Sequence, residues 1–265
     1  MIKLLALDLD GTLLNSDKQV SRENKEALAA ARAKGVKVVI TTGRPLMSID
    51  WLFDELDMKS DEDYSITFNG GLVQKNTGDI LSKKSFSLTE LKDIHELTKS
   101  LGIPLSILSD DTVYQLDGPS MYENINPKLK YIYTTIDQLS EDGIYNKAIS
   151  ATDADLLDKG LNEIPDEYKE KYEMFKSRDI VLEFMPKGVL KSYGLAQLIE
   201  ILGLKQDQVM AIGDEENDLA MIEWAGTGLA MNNAVNKLKE QADGVIPLTN
   251  DEHGIAWAIE KYILG

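Results

Sequence analysis

Ile2-Lys3-Leu4-Leu5-Ala6-Leu7-Asp8-Leu9-Asp10-Gly11-Thr12 is the stretch on which the fold of this 265-residue chain turns. Ile2 to Leu7 is too short for a helix and nearly continuous in apolar side chains, as a parallel strand buried on both faces reads. It breaks off on two carboxylates, and Gly11 frees the turn behind them, where a backbone amide can approach an anion. Working outward, Ser21 can cap a helix that runs through Leu28 and Ala31 and stops at Gly35. Val36-Lys37-Val38-Val39-Ile40 then reads as a β-branched strand ending in Thr41-Thr42-Gly43-Arg44-Pro45. Strand, helix, strand predicts a right-handed parallel crossover.

The same grammar returns near the C-terminus. Leu195, Leu198, Ile199 and Leu202 stand at i, i+3, i+4 and i+7, an amphipathic helix closed by Gly203. Val209-Met210-Ala211-Ile212 is a short buried strand broken by Gly213-Asp214, and a last helix carries Ile255, Ala258, Ile259 and Ile263. The middle differs. A capping box, Ser87 to Glu90, opens a helix through Leu91, Ile94, Leu97 and Leu101. Short strands follow at Leu105–Leu108, Thr112–Leu116, Asn146–Ala151, Tyr172–Ser177 and Ile180–Phe184, with a helix near Ala154 to Ile164. Paired strands with few helices predict an α+β unit with an antiparallel sheet. The expected architecture is α/β: a Rossmann-like parallel-sheet core, residues 1–84 and 187–265, with an inserted α+β cap domain, residues 85–186.

Composition narrows the function. The chain has no cysteine, which removes disulfides, thiolate metal sites and thiol nucleophiles and fits a reducing compartment. Acidic residues number 45 against 28 basic ones, a net charge of −17, and no Lys/Arg cluster offsets that field. Nucleic acid is therefore not an expected partner. No stretch approaches the roughly 18 apolar residues of a membrane span. The apolar N-terminus is too short for a signal-peptide core, so a cytoplasmic protein without a membrane partner is expected.

Ligands of open parallel sheets bind outside the carboxyl ends of the strands. Three such ends carry polar groups: Asp8 and Asp10; Thr42-Gly43-Arg44; and Gly213-Asp214, followed by Asn217 and Asp218. Lys191 precedes the late amphipathic helix. Two carboxylates two residues apart at a strand end repel, which raises one pKa or demands a cation. With Asp214 alongside, three hard oxygen donors without Cys or His suit magnesium, which keeps some water and accepts a phosphate oxygen. Any one of these aspartates can be only a turn or helix cap. Their joint placement with Thr42-Gly43 and Lys191 argues against coincidental caps.

These residues resemble the motifs of a known family. Asp8-Leu9-Asp10-Gly11-Thr12-Leu13-Leu14, Thr42-Gly43-Arg44, Lys191 and Gly213-Asp214-Glu215-Glu216-Asn217-Asp218 are similar to the four motifs of the haloacid dehalogenase superfamily. Their order and spacing resemble the Cof-type branch and its bacterial sugar-phosphate phosphatases, over nearly the whole chain. Asn69-Gly70-Gly71, where the family often has Asn-Gly-Ala, and Pro186-Lys187-Gly188 add to the likeness. The resemblance implies a magnesium-dependent phosphatase of small phosphorylated metabolites. Asp8 would be nucleophile and metal ligand. Asp10 would be general acid and base, binding metal through its backbone carbonyl. Thr42 and Lys191 would hold phosphate with the amides of Leu9 and Gly43 and the Asn217 side chain. Asp214 would complete the metal site, with Asp218 a ligand through water or an orienting residue. The cap would close over the core and choose the substrate.

In that mechanism Asp10 donates a proton to the leaving oxygen and then activates water, and its proximity to other acids predicts a raised pKa. Other residues have plainer readings. Asn69-Gly70 can be a hairpin turn, an active-site loop, or both. Thr42 can cap the helix after Pro45, Arg44 is expected to be structural, and Lys187 is a rival to Lys191. His95 and His253 lie outside the motifs; Trp51, Trp224 and Trp257 read as packing residues, and Asp153 to Glu173 as a solvated face. The alternatives are a phosphatase of a flavin precursor or pyridoxal phosphate, a phosphomutase, and a non-catalytic phosphate-sensing protein. Asp10 argues against the last, since a sensor needs no general acid.

Overall fold

Strand β1, Leu4–Leu7, buries all four of its side chains, as a central parallel strand must. Burying each Leu fully contributes roughly 1.5–3 kcal/mol. The following helix, Arg22–Ala33, begins where expected: the Ser21 hydroxyl accepts from the Asn24 amide at 3.2 Å, and Gly35 turns the chain at φ +83°. Strand β2 is Lys37–Thr41, β3 Tyr64–Thr67, β4 Leu72–Lys75 and β5 Ile80–Lys83. The middle of the chain adds β6, Leu105–Leu108; β7, Thr112–Leu116; β8, Lys130–Thr134; β9, Lys147–Ala151; β10, Tyr172–Arg178; and β11, Val181–Pro186. The C-terminal part supplies β12, Val209–Gly213; β13, Thr227–Ala230; and β14, Gly244–Val245.

This computed structural model describes residues 1–110, 112–116 and 118–265. It separates into two compact units, Met1–Lys83 with Leu190–Gly265, and Lys84–Val189. In the first, one sheet runs in the order β14-β13-β12-β1-β2-β3-β4-β5. Neighbours from β14 to β3 are parallel, and β3, β4 and β5 pair antiparallel. Its core gathers Leu5, Leu7, Val39, Ile66, Ala211, Leu195 and Leu198. The helix Lys191–Leu202 ends on Gly203 in the left-handed conformation, φ +64°. The fold is α/β with a parallel-sheet core.

The second unit holds a sheet ordered β10-β11-β9-β6-β7-β8 and a core of its own, including Leu91, Ile94, Ile107, Ala148, Leu182 and Phe184. Its helix Leu88–Ser100 starts on the Ser87–Glu90 capping box. Antiparallel pairing holds from β10 to β7, but β8 lies parallel to β7. That edge strand departs from the expected all-antiparallel sheet. A parallel neighbour needs a crossover connection, and the segment containing helix Tyr122–Ile125 provides it. The acidic stretch folds into helices Ala154–Glu163, capped by the Asp153 side chain, and Asp166–Lys171. Among the described residues no helix is long and apolar enough to cross a membrane.

Candidate active site

Strand β1 lies between β2 and β12, and from it the chain builds outward in both directions, making β1 the switch point of the sheet. Leu7 stands opposite Ile40 on β2 and Ile212 on β12. Asp8, Thr42 and Asp214 therefore leave the same sheet end. The Asp8 amide still donates to the Ile212 carbonyl at 3.0 Å, so the ladder fixes the main chain of the first aspartate.

The Asp8 side chain is held by Lys191, whose Nζ donates to one carboxylate oxygen at 2.5 Å and to Asp218 at 2.6 Å. Lys191 is the first residue of its helix and has no exposed surface. Burial opposes its charge, but Asp218 and Asp8 outweigh that and push its pKa upward. Asp218 is itself fixed, accepting from the amides of Asp214 at 2.9 Å and Glu215 at 3.1 Å. Asp214 accepts a 2.6 Å bond from the Thr12 hydroxyl. Gly11, at φ +80°, turns the chain beneath that carboxylate, and any side chain on it would collide with Asp214. That contact explains the glycine beyond its freedom to turn.

Among the described residues the acids close enough to share a metal are Asp8, Asp214 and Asp218, each offering an oxygen within 4.8 Å of the others. Three buried carboxylates face one ammonium. The surplus negative charge shows in their titration: burial, then Asp218, pushes Asp8 up to about 7, and burial, then Asp8, pushes Asp214 up to about 8. A hard divalent cation relieves that crowding, and the all-oxygen donor set fits magnesium.

Asp10 corrects the expectation drawn from its acidic neighbours. Its carboxylate is not one of that group and receives Arg44 Nε at 2.8 Å, Arg44 Nη2 at 2.6 Å and Lys18 Nζ at 2.9 Å. Burial pulls its pKa up, but Arg44 and Lys18 prevail and lower it. Arg44 is thus the partner of Asp10, and Lys18 joins it; nothing in the spacing of Lys18 pointed there. Of the predicted metal set Asp8, Asp10 and Asp214, the structure groups the first and last by their side chains, with Asp218 beside them.

The predicted phosphate residues surround the same strand ends. Leu9 is buried between the two aspartates, and Thr42 is buried with its hydroxyl accepting from the Arg44 amide at 3.2 Å, a local turn within its own loop. Gly43 lies against Asn69, and the Asn217 carboxamide donates to Asn69 Oδ1 at 3.4 Å. Asn69-Gly70 both joins β3 to β4 and borders these groups. Lys187 is paired with Glu173 at 3.2 Å, so Lys191 is the lysine at Asp8. His95 lies on the helix Leu88–Ser100 and His253 stands 3.7 Å from Glu23; neither belongs to the acid group. Trp224 and Trp257 pack on the core, whereas Trp51 is 42% exposed, which does not fit the packing role expected of it.

Comparison with known proteins agrees with this construction. The family model of haloacid dehalogenase-like hydrolases matches residues 5–259. The Bacillus subtilis (strain 168) protein YxeH is 35% identical over 269 residues, covering 100% of this chain and 99% of that one. The 5-amino-6-(5-phospho-D-ribitylamino)uracil phosphatase YcsE of the same organism is 33% identical, over 99% of this chain and 96% of its own. A crystal structure of a haloacid dehalogenase-like hydrolase from Bacteroides thetaiotaomicron superimposes with a TM-score of 0.84 at 30% identity, over 98% and 99% of the two chains. With acids and a buried lysine gathered at the switch point of a parallel sheet, and with likeness running the length of the chain, this protein belongs to the haloacid dehalogenase-like hydrolases and is a phosphatase.

Proposed function

We propose that the chain is a magnesium-dependent phosphatase of small phosphorylated metabolites, sugar phosphates foremost, acting through an aspartyl-phosphate on Asp8. The observation that carries this reading is Asp8 itself: a strand-end carboxylate bonded to the buried Lys191 and close to Asp214 and Asp218. Asp8 attacks phosphorus as the ester P–O bond breaks, and the leaving oxygen takes a proton from Asp10. Water, giving its proton to Asp10, then attacks phosphorus and releases Asp8 and inorganic phosphate. Lys191, Thr42, Asn217 and the amides of Leu9 and Gly43 stabilise the charge on the transferring group. Asp8, Asp214 and the Asp10 carbonyl would hold magnesium, with Asp218 orienting Lys191. Bound there, the ion supplies charge neutralisation between the carboxylate and the phosphoryl group.

Asp10 rests as the ionised partner of Arg44 and Lys18, so it must exchange those contacts for a proton before it can serve as the acid. We assign residues 84–189 the part of a substrate-selecting cap. The name of YcsE supports a second reading, in which the substrate is a phosphorylated ribityl flavin precursor.

The test is hydrolysis of p-nitrophenyl phosphate with and without magnesium, by the wild type and by Asp8→Asn. Turnover should require the metal and vanish in the variant; turnover that survives Asp8→Asn sinks the nucleophile assignment. Release of inorganic phosphate without a phosphorylated activator separates hydrolysis from a mutase. A panel of sugar phosphates, pyridoxal phosphate and the ribityl compound then ranks the substrate classes by kcat/KM.

A further inference from the structure

The corner between β3 and β4 is the most strained backbone near the candidate site. Phe68 stands at φ +49°, Asn69 at +53° and Gly70 at +104°, three successive residues in the left-handed half of conformational space. A bulky residue such as Phe68 is there only under compulsion, and such strain persists where the surroundings over-determine it. The surroundings do so here. The Thr42 amide donates to the Ile66 carbonyl at 2.9 Å, and the Asn69 amide donates back to the Thr42 carbonyl at 3.0 Å, clamping the corner to the end of β2. The helix carrying Lys191 sits on the same corner. A side chain on Gly70 would collide with the Leu190 carbonyl, and a Cβ on Gly194 would lie 3.0 Å from the Gly70 Cα.

The strain delivers the buried carboxamide of Asn69 to one place. Its Oδ1 accepts from Asn217 Nδ2 at 3.4 Å, and a Cβ added to Gly43 would sit 2.9 Å from the same oxygen. Asn69 thereby touches two groups that come from opposite sides of β1, one following β2 and one following β12. A plain hairpin turn needs neither contact, nor a buried carboxamide.

We propose that Asn69 is a positioning residue for the phosphoryl group, orienting the Asn217 carboxamide and the Gly43 main chain toward the anion they receive. The assignment rests on the reading of Gly43 and Asn217 as phosphate-binding. Asn69 acts through both and does not itself contact the reacting atoms. With its oxygen occupied by the Asn217 Nδ2–H, the Asn217 carboxamide has one orientation, and the entropy of fixing it is spent before substrate arrives.

Asn69→Gly separates strain from positioning, because glycine adopts the left-handed backbone readily but lacks the carboxamide. The melting temperature should be unchanged or higher. The competitive inhibition constant for inorganic phosphate should rise on the order of tenfold, as expected for the loss of one oriented partner, with a matching fall in kcat/KM. Asn217→Ala alone should also weaken phosphate, and adding Asn69→Gly to it should cost little more, since the two act as one unit. Wild-type phosphate inhibition in Asn69→Gly overturns the proposal, as do losses that add in full in the double variant. Unchanged phosphate inhibition in Asn217→Ala instead removes the phosphate-binding reading beneath it. Should Asn69→Gly fold poorly, Asn69→Asp keeps the backbone preference and an acceptor while placing a negative charge beside Asn217 and Gly43. It should weaken phosphate more than the melting temperature suggests; wild-type inhibition by phosphate there also refutes the assignment.

Discussion

Lys191 is the residue whose loss should be felt most sharply, because among the described residues it alone pairs with both Asp8 and Asp218, from a fully buried position. Removing one partner from a buried ion pair costs roughly 3–5 kcal/mol, since the remaining charge is left without compensation. Lys191→Met should therefore lower stability markedly in metal-free protein, less so with magnesium present, and reduce kcat by about 10²–10³, the usual cost of one charge-stabilising donor. Thermal melts with and without magnesium, beside phosphate release, check both halves. Asp10→Asn makes a different prediction. Loss of a general acid costs about 10²–10⁴ in rate. The cost should be greatest for sugar phosphates, whose alkoxide needs a proton to depart, and least for p-nitrophenyl phosphate; equal losses on both substrates would contradict the acid role. Residue by residue, placement was most legible at the strand ends, where Asp8, Thr42 and Asp214 leave one end of the sheet, and at the helix start, where Lys191 reaches Asp8. It was least so for side-chain direction. Adjacency to acids argued for a raised Asp10 pKa, while Arg44, 34 residues away, and Lys18, 8 away, set the opposite sign through geometry that no local spacing reveals.

At the scale of elements, periodicity and caps did most of the work. Ser21, the Ser87–Glu90 box and Gly203 mark helix ends that the structure reproduces within a residue or two. Ser21→Ala should cost about 1 kcal/mol in urea denaturation, the worth of one N-cap, while leaving kcat/KM unchanged. Strands β5, β8, β13 and β14 were missed in the sequence, and β8 shows why: half exposed at a sheet edge, it has no clean burial pattern, and its parallel pairing is set by a crossover that sequence alternation does not encode. The most consequential element is the helix Lys191–Leu202, whose register against the sheet decides where the Lys191 ammonium falls. Gly194 lets that helix close on Gly70 and Ile66, and a methyl group there would meet Ile66 Cγ2 at 2.5 Å. Overpacking of this kind costs typically about 1–3 kcal/mol. Gly194→Ala should therefore lose stability and, because Lys191 moves with its helix, also lose kcat/KM by more than the folded fraction explains. Full specific activity in the folded variant would show that the helix tolerates displacement.

For the whole molecule, the clearest consequence concerns how stability depends on pH and metal together. Asp8 and Asp214 bind protons more tightly folded than unfolded, with pKa values raised from 3.8 to about 7 and about 8. Their contribution is therefore fully present below about pH 4, and is lost as pH rises through those folded values, where two crowded carboxylates ionise beside Asp218. A chain of net charge −17 also repels itself more as pH rises, so a declining stability alone does not single out these acids. Two comparisons do. Asp8→Asn removes one titrating group and should flatten the decline between pH 5 and pH 8 in metal-free protein, whereas general self-repulsion would leave the slope as it was. Magnesium held as proposed would compete with protons for the same oxygens, so its stabilisation should be small at pH 5 and grow toward pH 8. At a concentration 100 times its dissociation constant it adds about 2.7 kcal/mol. That corresponds to roughly 5–10 °C in melting temperature for a chain of this size. A magnesium-induced shift that is the same at both pH values, or that persists undiminished in Asp8→Asn, would mean that the ion binds elsewhere on this acidic surface and that the buried carboxylates do not hold it.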